Sequence, residues 1–284
     1  MIKKYILLII LVLFAGHLNA ETKTYKMVFV PASEKGDESD YTSLIAITEK
    51  LTGLNIDTIK VTDYNAAVEA MRAGRAHIAW YGGKTYVKAA EIANAEAFAA
   101  GVRPGEKDAG YYTYFVVKKD SELKEFNDVK GKVLSLNTIG STSGDLIPQV
   151  ELSKINLSIK NKDHFNKVFY AGSHDACLLA VLNNQSDVCG MSSRNFEARL
   201  EDGTFKKKDV RIIHKSDRVP PPPLAYSKMI PKDDRDKIKK AVLEAHKHGV
   251  IGGYGGKMSH YMEVKDSDYN VLREVIELLN KNRS

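Results

Sequence analysis

Three hydroxyl side chains, Ser141, Thr142 and Ser143, stand together in "SLNTIGSTSGDLIPQVEL", residues 135–152. A β-rich run, "GKVLSLN", leads into them, and an amphipathic segment follows. The first turn of a helix leaves backbone N–H groups without partners, and the helix dipole favours negative charge there. Hydroxyls beside those N–H groups add further donors, so the cluster suits a small tetrahedral oxyanion such as phosphate or phosphonate. Capping the helix would need one serine; three in a row exceed that need.

Other junctions between strand-like and helix-like runs carry polar side chains of their own. Tyr64 opens "DYNAAVEAM" and Tyr81 closes the strand in "AHIAWYGG". His174 and Asp175 open "SHDACLLAVLN", and Ser192, Ser193 and Arg194 follow the next strand in "GMSSRN". Each has a plainer role available. The tyrosines could be packing residues with wet hydroxyls, Asp175 suits any helix N-terminus, and a lone histidine or arginine is commonly structural. Their placement is what joins them: in open parallel sheets ligands sit beyond the carboxyl ends of the strands.

A serine, a histidine and an aspartate also raise the question of hydrolysis. His174 and Asp175 are adjacent, so on a helix they point about 100° apart, and the carboxylate cannot orient the imidazole. There is no G-x-S-x-G elbow, no cluster with zinc-ligand spacing and no G-x-x-x-x-G-K-[ST] loop. The expectation is a binder, not an enzyme, with no metal and no cofactor.

These junctions must be positioned by a larger frame. After residue 20 the chain alternates strand-like runs ("TYKMVFVPA", "NIDTIKVT", "AHIAWYGG") with helical ones ("DYTSLIAITEKLTG", "DYNAAVEAMRAGR", "KTYVKAAEIANA"), the pattern of parallel strands covered by helices. "GYYTYFVVKKD" reads as a long strand, after which the alternation restarts at "KVLSLN" and ends with "VRIIHKS". "DRVPPPPLAYSK" then forms a stiff, extended return passage. A chain that crosses out of one α/β unit and later returns makes two lobes with a cleft, a preferred place for a ligand. The expected division is a first lobe from 21–116 and 222–284, and a second from 117–221.

The first twenty residues, "MIKKYILLIILVLFAGHLNA", place Lys3 and Lys4 before an apolar run and end on Ala20, the layout of a cleaved secretory leader. The apolar stretch from Tyr5 to Gly16 is too short for a transmembrane anchor, and no cysteine follows it for a lipid. A soluble, exported protein is expected. The chain of 284 residues has a net charge of +6, and loss of the two leader lysines lowers it to +4. That bias suits anion capture and is too small, without arginine–aromatic interleaving, to point to nucleic acid. The two cysteines, Cys177 and Cys189, are compatible with a disulfide, which export permits, or with two buried thiols.

Taken together, the blocks resemble the PhnD family, the periplasmic phosphate-, phosphite- and phosphonate-binding proteins of ABC transporters. The likeness runs through "DYNAAVEAMRAGRAHIAWYGG", "GYYTYFVVKKDSELKEFNDVKGK", "STSGDLIPQ", "AGSHDACLLAVLNNQSDV" and "IIHKSDRVPPPPLAYSK", in the family's order. The resemblance implies an α/β, two-lobed type II periplasmic binding fold, each lobe a mostly parallel sheet flanked by helices. It implies a monomer that closes on a small phosphorus oxyanion and delivers it to an ABC permease of the inner membrane. It further implies that Ser141, Thr142 and Ser143 hold the oxyanion, with Tyr64, Tyr81 and His174 completing the pocket. Two departures bear on the ligand. Where aminoethylphosphonate binders carry a glutamate, this chain has "SSRN" around Arg194; where they carry an aspartate, it has Pro222. Without those carboxylates an amine-bearing ligand would bury an unpaired ammonium, at a cost of several kcal/mol. Arg194, turned inward, would instead favour added negative charge. Oxyanion sensors that present a ligand to a membrane histidine kinase resemble the same family. Cys177, one turn beyond His174, is the feature that would suit that alternative if it were a free thiol near the ligand.

Overall fold

The computed structural model describes residues 22–33 and 37–281; the expected leader at 1–20 lies outside them. The chain opens with β1 (Thr24–Phe29), α1 (Asp37–Thr52), β2 (Asn55–Ile59), α2 (Tyr64–Arg72), β3 (Ile78–Trp80), α3 (Gly83–Ile92) and β4 (Ala95–Val102). It continues through β5 (Thr113–Lys118), β6 (Val133–Leu136), α4 (Ile147–Lys154), β7 (Lys167–Tyr170), α5 (His174–Leu182), β8 (Val188–Ser192), α6 (Ser193–Glu201) and β9 (Val210–Lys215). It returns as β10 (Leu224–Ser227), α7 (Lys232–Glu244), β11 (Ile251–Gly253), β12 (Gly256–Met258), β13 (His260–Glu263) and α8 (Asn270–Lys281).

Two sheets result, one per lobe. The first has the order β13-β4-β10-β3-β1-β2 and the second β7-β6-β8-β5-β9. Parallel pairing is confined to the βαβ units, β2-β1-β3 and β7-β6-β8, as the β-α rhythm requires. The other pairs are antiparallel: β10 lies between β3 and β4, and β5 between β8 and β9. Each sheet is therefore mixed: β10 and β13 run against the other four strands of the first, and β5 against the other four of the second. β5, through whose middle the expected lobe boundary at 116 passes, lies wholly in the second sheet. The crossovers meet before it, where Tyr111 and Val219 exchange backbone hydrogen bonds of 3.2 and 2.8 Å.

Packing follows the two-residue period of the strands. Phe115 and Val117 of β5 enter one core cluster with Leu134, Leu136 and Leu152. The intervening Val116 enters the other with Cys177, Leu178, Val181 and Met191. Cys177 and Cys189 form a disulfide with a Cα–Cα distance of 5.7 Å, well inside the range that a bridge requires. It ties α5 to β8. Two features were illegible in sequence. β4, "AEAFAAGV", is rich in alanine, which favours helix, and becomes a strand because both faces of it are covered. The β11–β12 hairpin and β13 follow no clear alternation.

Candidate functional site

The carboxyl ends of strands from both sheets converge on one small cavity between the lobes. Tyr64, Trp80 and Gly82 form its wall from the first lobe, with Ala32 and Tyr254. Ser141, Thr142, Ser143 and His174 face them from the second lobe, and Tyr111 and Pro222 come from the crossovers. The cavity is small, ≈ 10 Å³, about the scale of a single water molecule. Larger depressions exist, such as a groove of ≈ 570 Å³ bordered by Val87, Glu91, Lys228 and Arg273. That groove shares no residue with the junctions, so the chemistry points to the small cavity.

The hydroxyl cluster is built by a tight turn. Ser141 caps a π-helical turn over Thr142–Leu146 that leads into α4, a geometry common at functional sites. The Ser141 Oγ accepts from the Gly144 N–H at 3.1 Å and from Asn137 Nδ2 at 3.4 Å. Gly144 must be glycine: a Cβ there would stand 2.3 Å from Asn137 Cβ and 2.9 Å from His174 Cε1. The Thr142 Oγ1 reaches across the cleft and accepts from the Lys84 N–H at 2.9 Å. Gly82 permits that approach, since a Cβ would lie 3.1 Å from the same oxygen. Tyr111, buried and pushed up to about 12 by desolvation, shares hydrogen bonds with the hydroxyls of Ser143 and Thr142.

His174 begins α5, which Ser173 caps by accepting from the Ala176 N–H at 3.0 Å. Its own N–H donates to the Ala32 carbonyl of the first lobe at 3.2 Å. The Ser192 N–H donates to its Nδ1 at 3.3 Å, so that nitrogen is the acceptor and Nε2 carries the proton. Burial lowers its pKa to about 3, and the imidazole is neutral in ordinary buffers.

The other expected site residues lie elsewhere. Tyr81 is fully buried in the first lobe, with its hydroxyl donating to the Ala67 carbonyl at 3.2 Å. Trp80, its neighbour in the strand, takes the place at the cavity, because successive residues of a strand face opposite sides. Asp175 turns toward Arg199, 3.4 Å away. Ser192 caps α6 and supplies the N–H that orients His174, while the Ser193 Oγ accepts from the Tyr112 N–H at 3.2 Å.

Arg194 does not line the cavity. Its side chain is 2% exposed, and its guanidinium donates to the carbonyls of Gly101 (3.2 Å) and Ala109 (2.8 Å) and to Glu106 (3.2 Å). It clamps α6 of the second lobe onto the first. Arg103 acts in the reverse direction, from the first lobe to Glu197 and Glu201 of α6 at 2.8 and 2.7 Å. Beside the cavity, Lys84 pairs with Asp145, which also accepts from the Tyr170 hydroxyl at 2.8 Å. Cys177 is not a free thiol near the ligand, because it is bonded to Cys189 in the core. Among the described residues no cluster of metal-ligating side chains is present. Ala32, Trp80, Gly82, Tyr111, Pro222 and Tyr254 are the cavity residues that the junction reasoning did not select. The family departure at Pro222 was the only signal for any of them.

Comparison with known proteins agrees with the architecture. Residues 27–269 match the family model of the phosphonate periplasmic substrate-binding protein of ABC transporters. The phosphonates-binding periplasmic protein of Escherichia coli (strain K12) is 30% identical over 230 residues, 75% of this chain and 66% of that one. The phosphate-import protein PhnD of Mycolicibacterium smegmatis is 24% identical over 276 residues, 90% of this chain and 86% of that protein. Among solved structures, PhnD1 from Prochlorococcus marinus in complex with methylphosphonate superposes with a TM-score of 0.77 at 20% identity. The match covers 91% of this chain and 99% of that one.

Proposed function

Given that this chain belongs to the family of periplasmic substrate-binding proteins of phosphonate ABC transporters, we propose that it captures a small phosphorus oxyanion in the cavity between its lobes. Phosphonate, phosphite and phosphate are the class. A permease of the inner membrane would be the partner that receives the anion, and the periplasm the place of capture.

One observation carries the reading: neutral donors from both lobes converge on a small cavity that no charged side chain lines. Hydroxyls and N–H groups preset in a space without water can replace the hydration of an anion. The cavity has room for about one water molecule, less than a tetrahedral anion needs, so the anion enters when the lobes part. Parting breaks the Thr142–Lys84 and Thr85–Gly140 hydrogen bonds across the cleft and flexes the two crossovers paired at Tyr111 and Val219. Lobe closure of this kind is a hinge motion.

The cavity wall also supports discrimination against an amine. Pro222 stands where a carboxylate would neutralise an ammonium, and no other carboxylate lines the space. Aminoethylphosphonate should therefore bind poorly.

Calorimetry with phosphate, phosphite, methylphosphonate and aminoethylphosphonate tests the proposal, with the fluorescence of Trp80 as a second signal. We expect micromolar binding, about −8 kcal/mol, of at least one amine-free compound. Absence of heat with all of them would overturn the assignment, and a preference for the amine would overturn the discrimination.

A further inference from the structure

We infer that Lys84 and Asp145 form a latch that holds the lobes shut over a captured anion, so that Lys84 sets how long the ligand stays without touching it. This rests on the proposed function and adds to it the residue pair that governs release.

Asp145 belongs to the turn that carries the hydroxyl cluster, Thr142–Leu146, and its side chain is 2% exposed. The second lobe alone already holds it. Its Oδ1 accepts from the Tyr170 hydroxyl at 2.8 Å and from Gln149 Nε2 at 2.6 Å, and its Oδ2 accepts from the Gly140 N–H at 3.2 Å. All of these donors are neutral, and a buried carboxylate is costly without a cation. The cation comes from the first lobe, where the Lys84 ammonium pairs with the same Oδ2. The anchor is therefore built within one lobe, and closure brings its counter-ion.

Lys84 meets the turn at a second point. It stands in the first turn of α3, and its backbone N–H donates to the Thr142 Oγ1 at 2.9 Å. Its neighbour Thr85 donates through Oγ1 to the Gly140 carbonyl at 3.0 Å. The start of α3 thus grips, by backbone, hydroxyl and ammonium, the turn that presents Thr142 and Ser143 to the cavity. Neither Lys84 nor Asp145 lines the cavity itself. The pairs of Arg103 with Glu197 and Glu201, and of Arg194 with Glu106, involve α6 instead.

An ion pair made on closure stabilises the closed form and leaves the open one unchanged. Removing it leaves the encounter of the anion with the open lobes as it was and lets the lobes part sooner, so the loss falls on dissociation. The effect is moderate, because Lys84 is 25% exposed and water screens its charge.

The experiment is stopped-flow fluorescence of Trp80, with calorimetry for Kd, using methylphosphonate, phosphite and phosphate. The proteins are the parent, Lys84→Met, Lys84→Arg, Asp145→Asn and the double variant Lys84→Met/Asp145→Asn. Lys84→Met keeps the backbone N–H and the length of the stem and removes the charge. It should dissociate about tenfold faster, with an unchanged association rate and a Kd weakened by the same factor. Lys84→Arg should recover most of that loss. Asp145→Asn should weaken the Lys84→Met protein less than it weakens the parent, the mark of a coupled pair. A parental dissociation rate in Lys84→Met would overturn the latch, as would additive losses in the double variant. So would a loss carried by slower association, which would make Lys84 a guide for incoming anions. Should Asp145→Asn fail to fold, the two Lys84 variants decide the matter alone. Those outcomes leave oxyanion capture standing, whereas no signal from the parent with any of the three compounds would overturn both readings.

Discussion

Two buried regions join the lobes, and they differ in what their polar groups do. At the α6 clamp, Arg194 donates to two backbone carbonyls and a carboxylate, all within the protein. At the cavity, the hydroxyl oxygens of Ser141 and Thr142 and the Nδ1 of His174 accept from backbone N–H groups, and the Nε2–H of His174 and the indole N–H of Trp80 are left to donate. The first region holds charge and satisfies it internally. The second holds no charge and leaves donors available. Burial by itself therefore does not mark a ligand site; the direction of the hydrogen bonds does.

Breaking the clamp should have the largest effect on stability. Arg194→Ala leaves the Ala109 and Gly101 carbonyls without donors and Glu106 without its cation. Removal of one partner from a buried charge network costs about 3–5 kcal/mol, reduced here because Glu106 is partly exposed. Thermal unfolding should show a marked drop in Tm. Retention of the parent Tm would mean that Arg194 is not the clamp described.

The disulfide supports the other side of the comparison, because α5 presents His174 and β8 presents the Ser192 N–H to it. The double variant Cys177→Ala/Cys189→Ala should lose about 3 kcal/mol, the chain-entropy value for a loop of this size. Denaturant unfolding measures this, and an unchanged midpoint would show that the core packing alone suffices.

Ser141→Ala sharpens the cavity side. It deletes a donor to a charged ligand, worth about 1.5–3 kcal/mol, and a helix cap, worth about 0.5–2 kcal/mol. Calorimetry should find the ligand Kd weakened by one to two orders of magnitude. A stability loss without an affinity loss would place Ser141 among structural caps only.

Tyr81→Phe should have the smallest effect. The lost hydrogen bond to Ala67 is worth about 1 kcal/mol of stability, with no change in ligand Kd. A tenfold weakening of the ligand would return Tyr81 to the site.

Much of the cavity was legible because its chemistry sits at strand-to-helix junctions. Ser141, Thr142, Ser143, His174 and Tyr64 all open helical turns, and all five line the cavity. The residues that went unseen enter by other routes. Tyr111 and Pro222 belong to the crossovers, and Tyr254 to the β11–β12 hairpin, where no periodicity announces a face. Tyr81 and Trp80 illustrate the finer limit. Their neighbourhood was evident, but which of the two faced the cleft depended on the register of β3 against β1 and β10.

The amino-acid sequence by itself determined the β-α rhythm, the interruption and return of that rhythm, and the cluster of donors at one helix start. These are local matters, set by hydrophobic period, turn residues and unpaired N–H groups. Only the tertiary structure decided that Arg194 turns away from the cavity, that Cys177 meets Cys189, and that the Ser192 N–H takes the Nδ1 of His174. Each of these is a distance between segments brought together by packing, and packing sums contacts over the whole chain, so no short stretch contains the answer.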